Sequence, residues 1–239
     1  MKAMIFAAGL GTRFKPWTDT NPKALAVVNG KSLLQRNVEY LQQYGITDVV
    51  VNVHHFADQV IAAIKQAGGW GSNIVLSDES DVVLETGGGL LQAKNLLGNS
   101  PFITVNADIL TTLNLHQFAS AHQENGALIS LAVAQRDTTR FLLFNDQNRL
   151  CGWRNVKEDA VSEKIALPAA HYIQKAYSGL AIFEPTVFSL IPFTGKFSLI
   201  DVFLHLAPHH LITGYDHSGD AWVDVGRPES VAVAEALFS

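Results

Sequence analysis

Two hydrophobic periods alternate along the first half of the chain. Short, almost wholly apolar or β-branched runs occur at 3–7, 48–53, 74–76 and 102–105, which predicts buried strands. Between them, 32–44, 57–66 and 89–97 carry apolar residues at helical spacing. In the first of these helices Leu33, Leu34, Val38 and Leu41 share a face, Ser32 stands at the N-cap position and Gly45 marks a stop. Gly68-Gly69 and Gly98 end the other two. Strands alternating with helices predict an α/β, doubly wound, mostly parallel sheet with helices on both faces, Rossmann-like, and ligands at the carboxyl ends of its strands.

The second half is less regular. A helix is predicted at 115–123 and a long strand at 127–134. Strands at 141–144 and 150–153 flank the turn residues Asn145-Asp146-Gln147-Asn148, a small β-hairpin. A buried strand follows at 177–183, then a helix at 199–206 stopped before Pro208, strands at 211–215 and 222–225, and a last helix at 229–237 behind Pro228. No repeat, low-complexity run or linker interrupts 1–239, which predicts one domain with halves near 1–110 and 111–239.

The stretch after the first strand carries the clearest chemistry. Gly9 and Gly11 open a loop in which backbone N–H groups meet a ligand without Cβ obstruction, and Arg13 and Lys23 stand at its far side. A dinucleotide fingerprint needs a third glycine where Phe14 stands. A P-loop ending in Gly30-Lys31-Ser32 needs a glycine where Leu25 stands. What remains is G-x-G-T-R followed later by P-K, a phosphate cradle of another type. A second glycine-rich stretch, Glu85-Thr86-Gly87-Gly88-Gly89, is expected at a helix start, where free N–H groups and the helix dipole favour a polar ligand. Asp108 follows a buried strand, and Asp224 interrupts another apolar run, so each is a candidate cation ligand; two carboxylates with phosphate oxygens form a hard-oxygen Mg²⁺ site.

These motifs resemble those of the sugar-1-phosphate nucleotidyltransferases over nearly the whole chain. The resemblance implies transfer of a nucleotidyl group from a nucleoside triphosphate to a sugar 1-phosphate, with Arg13 and Lys23 catalytic and Mg²⁺ on Asp108 and Asp224. It places the nucleotide against Ala8, Gly9, Gly11, Thr12, Arg13, Ser80, Glu85, Thr86 and Gly87. It places the sugar phosphate against Lys23, Gly88, Asn106, Ser178 and Gly179, and makes 1–110 the nucleotide-binding half and 111–239 the sugar-phosphate-binding half. Many relatives grip the sugar with a Glu-Lys pair after the central hairpin; here Trp153-Arg154-Asn155 stands there, which makes Arg154 the expected sugar contact, and Glu163-Lys164 comes later. A base-reading Gln is replaced by Asp78-Glu79-Ser80-Asp81. Leu84–Gly89 and Tyr177-Ser178-Gly179 look most like uridylyltransferases that act on N-acetylmuramic acid 1-phosphate in cell-wall recycling. Guanylyl transfer to mannose 1-phosphate, uridylyl or thymidylyl transfer to glucose 1-phosphate, and cytidylyl transfer to choline phosphate are the alternatives within that chemistry.

Composition narrows the partners. Against 22 acidic residues stand 17 Lys and Arg, a formal charge of −5 without a basic patch, which argues against nucleic acid. Cys151 is the only cysteine, the start has no cleavage-site pattern and no run reaches membrane-spanning length, so a cytoplasmic protein without a membrane partner is expected. His205 and His209 have zinc-pair spacing, but Pro208 lies between them and no cysteine supports a site. A nicotinamide oxidoreductase would want an acid where Asn52 ends its strand. A binding module without activity would have lost one of Arg13, Lys23, Asp108 or Asp224, and none is lost.

Overall fold

A computed structural model describes residues 1–157 and 160–238; residues 158, 159 and 239 of the predicted 1–239 unit lie outside them. In chain order the strands are β1 (Lys2–Phe6), β2 (Val27–Val28), β3 (Lys31–Ser32), β4 (Asp48–Val53), β5 (Asn73–Asp78), β6 (Phe102–Asn106), β7 (Ile109–Thr111), β8 (Ile129–Ala134), β9 (Arg140–Phe144), β10 (Leu150–Lys157), β11 (Ala160–Ile165), β12 (Ile173–Phe183), β13 (Ile212–Asp216) and β14 (Trp222–Asp224). The helices are α1 (Leu33–Gln43), α2 (Ala57–Gln66), α3 (Glu85–Gln92), α4 (Lys94–Leu97), α5 (Leu115–Asn125), α6 (Val187–Leu190), α7 (Leu199–Leu206) and α8 (Glu229–Leu237).

The main sheet has β5, β4, β1 and β6 side by side and parallel. β12 joins β6 antiparallel, β8 joins β12 antiparallel, and β13 runs parallel to β8. Among these seven strands β12 alone opposes the common direction, as a mostly parallel sheet predicts. β12 also branches. Its first residues, Ile173–Lys175, pair with β9, and β9, β10 and β11 continue as an antiparallel meander. A register slip between Tyr177 and Ala181 lets the strand leave one partner set for the other.

Alternation along the strands supplies two cores. Met4, Val50, Phe102 and Phe183 face α3, α4, α6 and α7; Ala3, Ile5, Val49, Val51 and Ile103 face α1, α2 and α5. The helix ends follow local chemistry. The Ser32 hydroxyl accepts from Gln35 N at 3.1 Å, and the Asn114 side chain accepts from Gln117 N. Gly126 closes α5 at φ 58°. A third, smaller cluster joins Phe14, Leu33, Leu110, Val223 and Val225 to Ala234 of α8. It fastens the turn that carries Arg13 to the β7/β14 ribbon.

One predicted element is corrected. The third helix does not begin at 89, because the glycines lie inside α3. A Cβ on Gly87 would come within 2.4 Å of the Phe197 ring, one on Gly88 within 2.3 Å of Gly195 O, and one on Gly89 within 2.5 Å of Glu79 Oε1. Helix propensity loses about 1 kcal/mol at each glycine, and close packing against the 195–198 segment and Glu79 outweighs it. Gly88→Ala is expected to lose about 1–3 kcal/mol of stability in urea unfolding, because the obstructing atom is backbone. A variant as stable as the parent would disprove that packing role.

Candidate active site

The glycine loop leaves the carboxyl end of β1. Ala7 N donates to Asn52 Oδ1 at 2.7 Å, which fixes where the loop departs. Asn52 in turn donates to the Glu79 carboxylate at 2.7 Å. Gly11 turns the chain with φ 61°, and a Cβ there would lie 2.8 Å from the Thr18 methyl and 3.1 Å from Lys23 Cβ. Thr18 donates to Gly11 O at 2.9 Å and holds the turn shut. Gly9 has nothing within 4 Å of its Cβ position and stays open to a ligand. Ala8 is buried beside it, whereas Thr12 and Arg13 are exposed at the start of a 3₁₀ turn.

The β7/β14 ribbon brings the two acids together. Asp224 pairs in register with Ile109, and Val225 N donates to Asp108 O at 2.8 Å, so the acids stand on adjoining rungs. Lys23 Nζ bonds directly to Asp108 Oδ2. Arg13 reaches Asp224 Oδ2 at 3.9 Å. Burial first, and the neighbouring Asp108 charge second, push the Asp224 carboxyl above its ordinary range, while Lys23, Arg13 and Arg136 oppose the rise. Asp224 Oδ1 is buried without a hydrogen-bond partner. A Cβ at Gly226 would come within 2.5 Å of that oxygen, so glycine keeps the acid's surroundings clear.

Two adjoining hollows meet at Asn106 and Asp108. The smaller, about 200 Å³, is lined by Gly9, Gly11, Lys23 and Thr86. The larger, about 870 Å³, is lined by Arg13, Glu85, Ser178, Gly179 and Asp224. Glu85 starts α3 with φ 59°, a strained backbone for a residue with a Cβ, and its carboxylate lies 3.5 Å from Lys196. Gly179 has φ 83°, and a Cβ there would sit 3.0 Å from Asn106 Nδ2. Ser178 is fully buried; its hydroxyl meets His217 Nε2 at 2.7 Å and its carbonyl accepts from Trp222 Nε1 at 2.9 Å.

Four of the expected contacts have partners within the protein. The N–H groups of Gly87 and Gly88 both donate to Phe197 O, at 3.0 and 3.2 Å, so they are not free for a ligand as a helix start would leave them. Ser80 is exposed and bonded to Asp78 through its N–H and its hydroxyl. Arg154 donates to Glu163 Oε2 at 2.9 Å and does not line the cleft. The register pairs Trp153 with Lys164 and Arg154 with Glu163, so alternation sends the first pair toward the cleft. Lys164, set aside for its later position, is thus a cleft residue, beside Arg136, Thr138, Thr139, Arg140 and Trp222, which the sequence did not single out. Among the described residues no group of three or more His, Cys, Asp or Glu side chains could hold a metal.

A family model for nucleotidyl transferases matches residues 2–238. The chain belongs to that family. This nucleotidyltransferase is 33% identical over 245 residues to N-acetylmuramate alpha-1-phosphate uridylyltransferase of Caulobacter vibrioides, covering 99% of this chain and 96% of that one. It is likewise 33% identical to the protein of that name from Neisseria meningitidis, covering 99% and 98%. Mannose-1-phosphate guanyltransferase of Aspergillus fumigatus is 27% identical, with this chain matching 64% of its length. Among solved structures, HddC from Yersinia pseudotuberculosis complexed with GMP-PN superposes with a TM-score of 0.78 at 22% identity, over 100% and 99% of the two chains, a likeness of fold. No helix among the described residues is long and apolar enough to cross a membrane.

The Asn52–Glu79 link yields a pH test. Glu79 is 3% exposed, and burial raises its carboxyl above the usual range despite the Asn52 bond. The folded state therefore holds this proton more tightly than the unfolded chain. That contribution is complete at acid pH and is lost as pH rises through the folded value. Relative to Glu79→Gln, the wild type is expected to lose urea resistance as pH rises above the ordinary carboxylate range. A parallel pH dependence in the two proteins would remove the assigned burial cost.

Proposed function

We propose that this nucleotidyltransferase joins UTP to an N-acetylated hexosamine 1-phosphate, N-acetylmuramic acid 1-phosphate in particular, releasing pyrophosphate. One observation carries the chemistry: Asp108, Asp224, Lys23 and Arg13 converge at the mouth of a glycine loop. The relatives' names support the substrate pair.

Both substrates are polyanions, so their repulsion is the first obstacle to contact. Asp108 and Asp224 fit a hard divalent cation such as Mg²⁺. They are adjacent, Asp224 keeps a buried oxygen without a donor, and Mg²⁺ commonly takes one or two protein carboxylates and completes its shell with phosphate oxygens. When bound, that ion supplies charge neutralisation and Lewis acidity at the phosphates. Lys23, already against Asp108, is positioned to hold the attacking sugar phosphate toward the α-phosphorus. Arg13 is positioned to stabilise charge on the departing pyrophosphate. The attacking phosphate oxygen is anionic, so no general base is required, and the rate comes from positioning and fixed charge. Gly9 leaves room for close approach of the triphosphate, Thr86 borders the same space, and Glu85 borders the larger hollow beside it. Asn106, Ser178 and Gly179 line the sugar side, and Lys164 takes the place expected of Arg154.

Arg13→Ala and Lys23→Ala are each expected to lose roughly a hundredfold or more in kcat while the fold stays intact. Near-full turnover by Lys23→Ala at saturating substrates would remove its role. EDTA is expected to abolish turnover, and Asp108→Asn or Asp224→Asn to raise the Mg²⁺ requirement sharply; metal-independent turnover would remove the two-carboxylate site. A matrix of four triphosphates against sugar 1-phosphates, read by pyrophosphate release, is expected to favour UTP over GTP by at least about tenfold in kcat/KM, roughly 1.4 kcal/mol. Turnover with GTP and mannose 1-phosphate, and none with UTP and an amino sugar, would replace the uridylyl reading by the guanylyl one.

A further inference from the structure

Arg136 has no part in the steps above, yet it is the most constrained cation in the larger cleft. It follows β8, and its Nη2 donates to Tyr177 O at 2.6 Å. Its guanidinium lies 3.7 Å from the centroid of the Trp222 ring. Stacking on one face and a carbonyl at one edge fix the plane of the fork. Its Nε is buried without a hydrogen-bond partner, and among the described residues no carboxylate forms an ion pair with it. Burial works against its charge, and Asp224 favours that charge only from a distance.

A neutral sugar needs hydroxyl partners and gives a desolvated guanidinium nothing to neutralise. The phosphates already have Lys23 and Arg13 at the ribbon. Arg140, exposed at the start of β9, lines the same hollow, and Thr138 Oγ1 accepts from its backbone N–H at 3.2 Å. A planar, preoriented guanidinium with spare donors suits a planar two-oxygen anion.

We infer that Arg136, assisted by Arg140, binds a carboxylate carried by the sugar 1-phosphate, and so selects an acidic sugar over its neutral counterpart. This rests on the reading of the cleft as the sugar site. It makes Arg136 a specificity-determining residue and gives the lactyl ether of N-acetylmuramic acid a defined partner. Arg154, the sugar contact expected from the sequence, is already paired with Glu163.

The test compares N-acetylmuramic acid 1-phosphate, its methyl ester and N-acetylglucosamine 1-phosphate, each with UTP. The ester keeps the shape and removes the charge. Wild type is expected to favour the acid over the ester by about tenfold or more in kcat/KM, chiefly through KM, and Arg136→Gln to reduce that ratio below about threefold. Arg140→Gln is expected to reduce it in part. A ratio unchanged in Arg136→Gln, or an equal loss with all three sugars, overturns the inference; the equal loss is what a phosphate ligand or a prop for Tyr177 would give. Should Arg136→Gln fail to fold, an unchanged ratio in Arg140→Gln, whose side chain is exposed, overturns it instead. Calorimetric binding of the acid and the ester gives the same comparison without turnover. Wild type that turns over N-acetylglucosamine 1-phosphate with UTP but binds acid and ester alike loses the carboxylate site and keeps the uridylyl reading. Wild type that binds the acid selectively but turns over only GTP loses the uridylyl reading and keeps the site.

Discussion

Two carboxylates held close enough to repel one another set the demands on everything around them. Asp108 and Asp224 come from distant parts of the chain, and a ribbon of three residues a side places them on adjoining rungs. The ribbon is too short to hold itself. Leu110 on one strand, and Val223 and Val225 on and just beyond the other, enter the cluster that also buries Phe14, so the turn bearing Arg13 and the ribbon bearing Asp224 share one small core. Burying each such side chain contributes about 1.5–3 kcal/mol, enough to offset a repulsion that the Lys23 and Arg13 charges already reduce. The site is thus electrostatically unfavourable by itself and stable through packing behind it.

That arrangement explains why part of the site was legible and part was not. Gly11, Arg13 and Lys23 lie close in sequence, and their spacing declared a phosphate loop. Asp108 and Asp224 were legible because an acid inside an apolar run is unusual. The face that a strand residue presents was not legible. Trp153 and Arg154 are neighbours, and the hairpin register alone decides that Lys164 lines the cleft while Arg154 meets Glu163. Arg136 carried no signal because its meaning depends on the Trp222 ring and the Tyr177 carbonyl, both remote in sequence.

The fold shows the same division. Ser32 and Gly45 marked the ends of α1 because caps are local. The glycines of α3 misled, since glycine signals both a loop and a helix under close approach. Only the positions of Gly195, Phe197 and Glu79 distinguish the two. Pairing of β12 with three other strands could not be read from residues 177–183, because its first residues are less apolar and serve the meander.

The branch in β12 also bears on how such a protein changes over generations. The wall carrying Trp153, Lys164 and Arg140 hangs from the first residues of one strand, whereas the parallel core uses that strand's last residues. Insertions, deletions or register shifts in the wall leave the hydrogen bonds of β1, β4, β5 and β6 intact. Change in the wall is thereby insulated from the sheet that carries the glycine loop. One lineage can remodel that wall while the β7/β14 ribbon and the glycine loop stay under unbroken constraint.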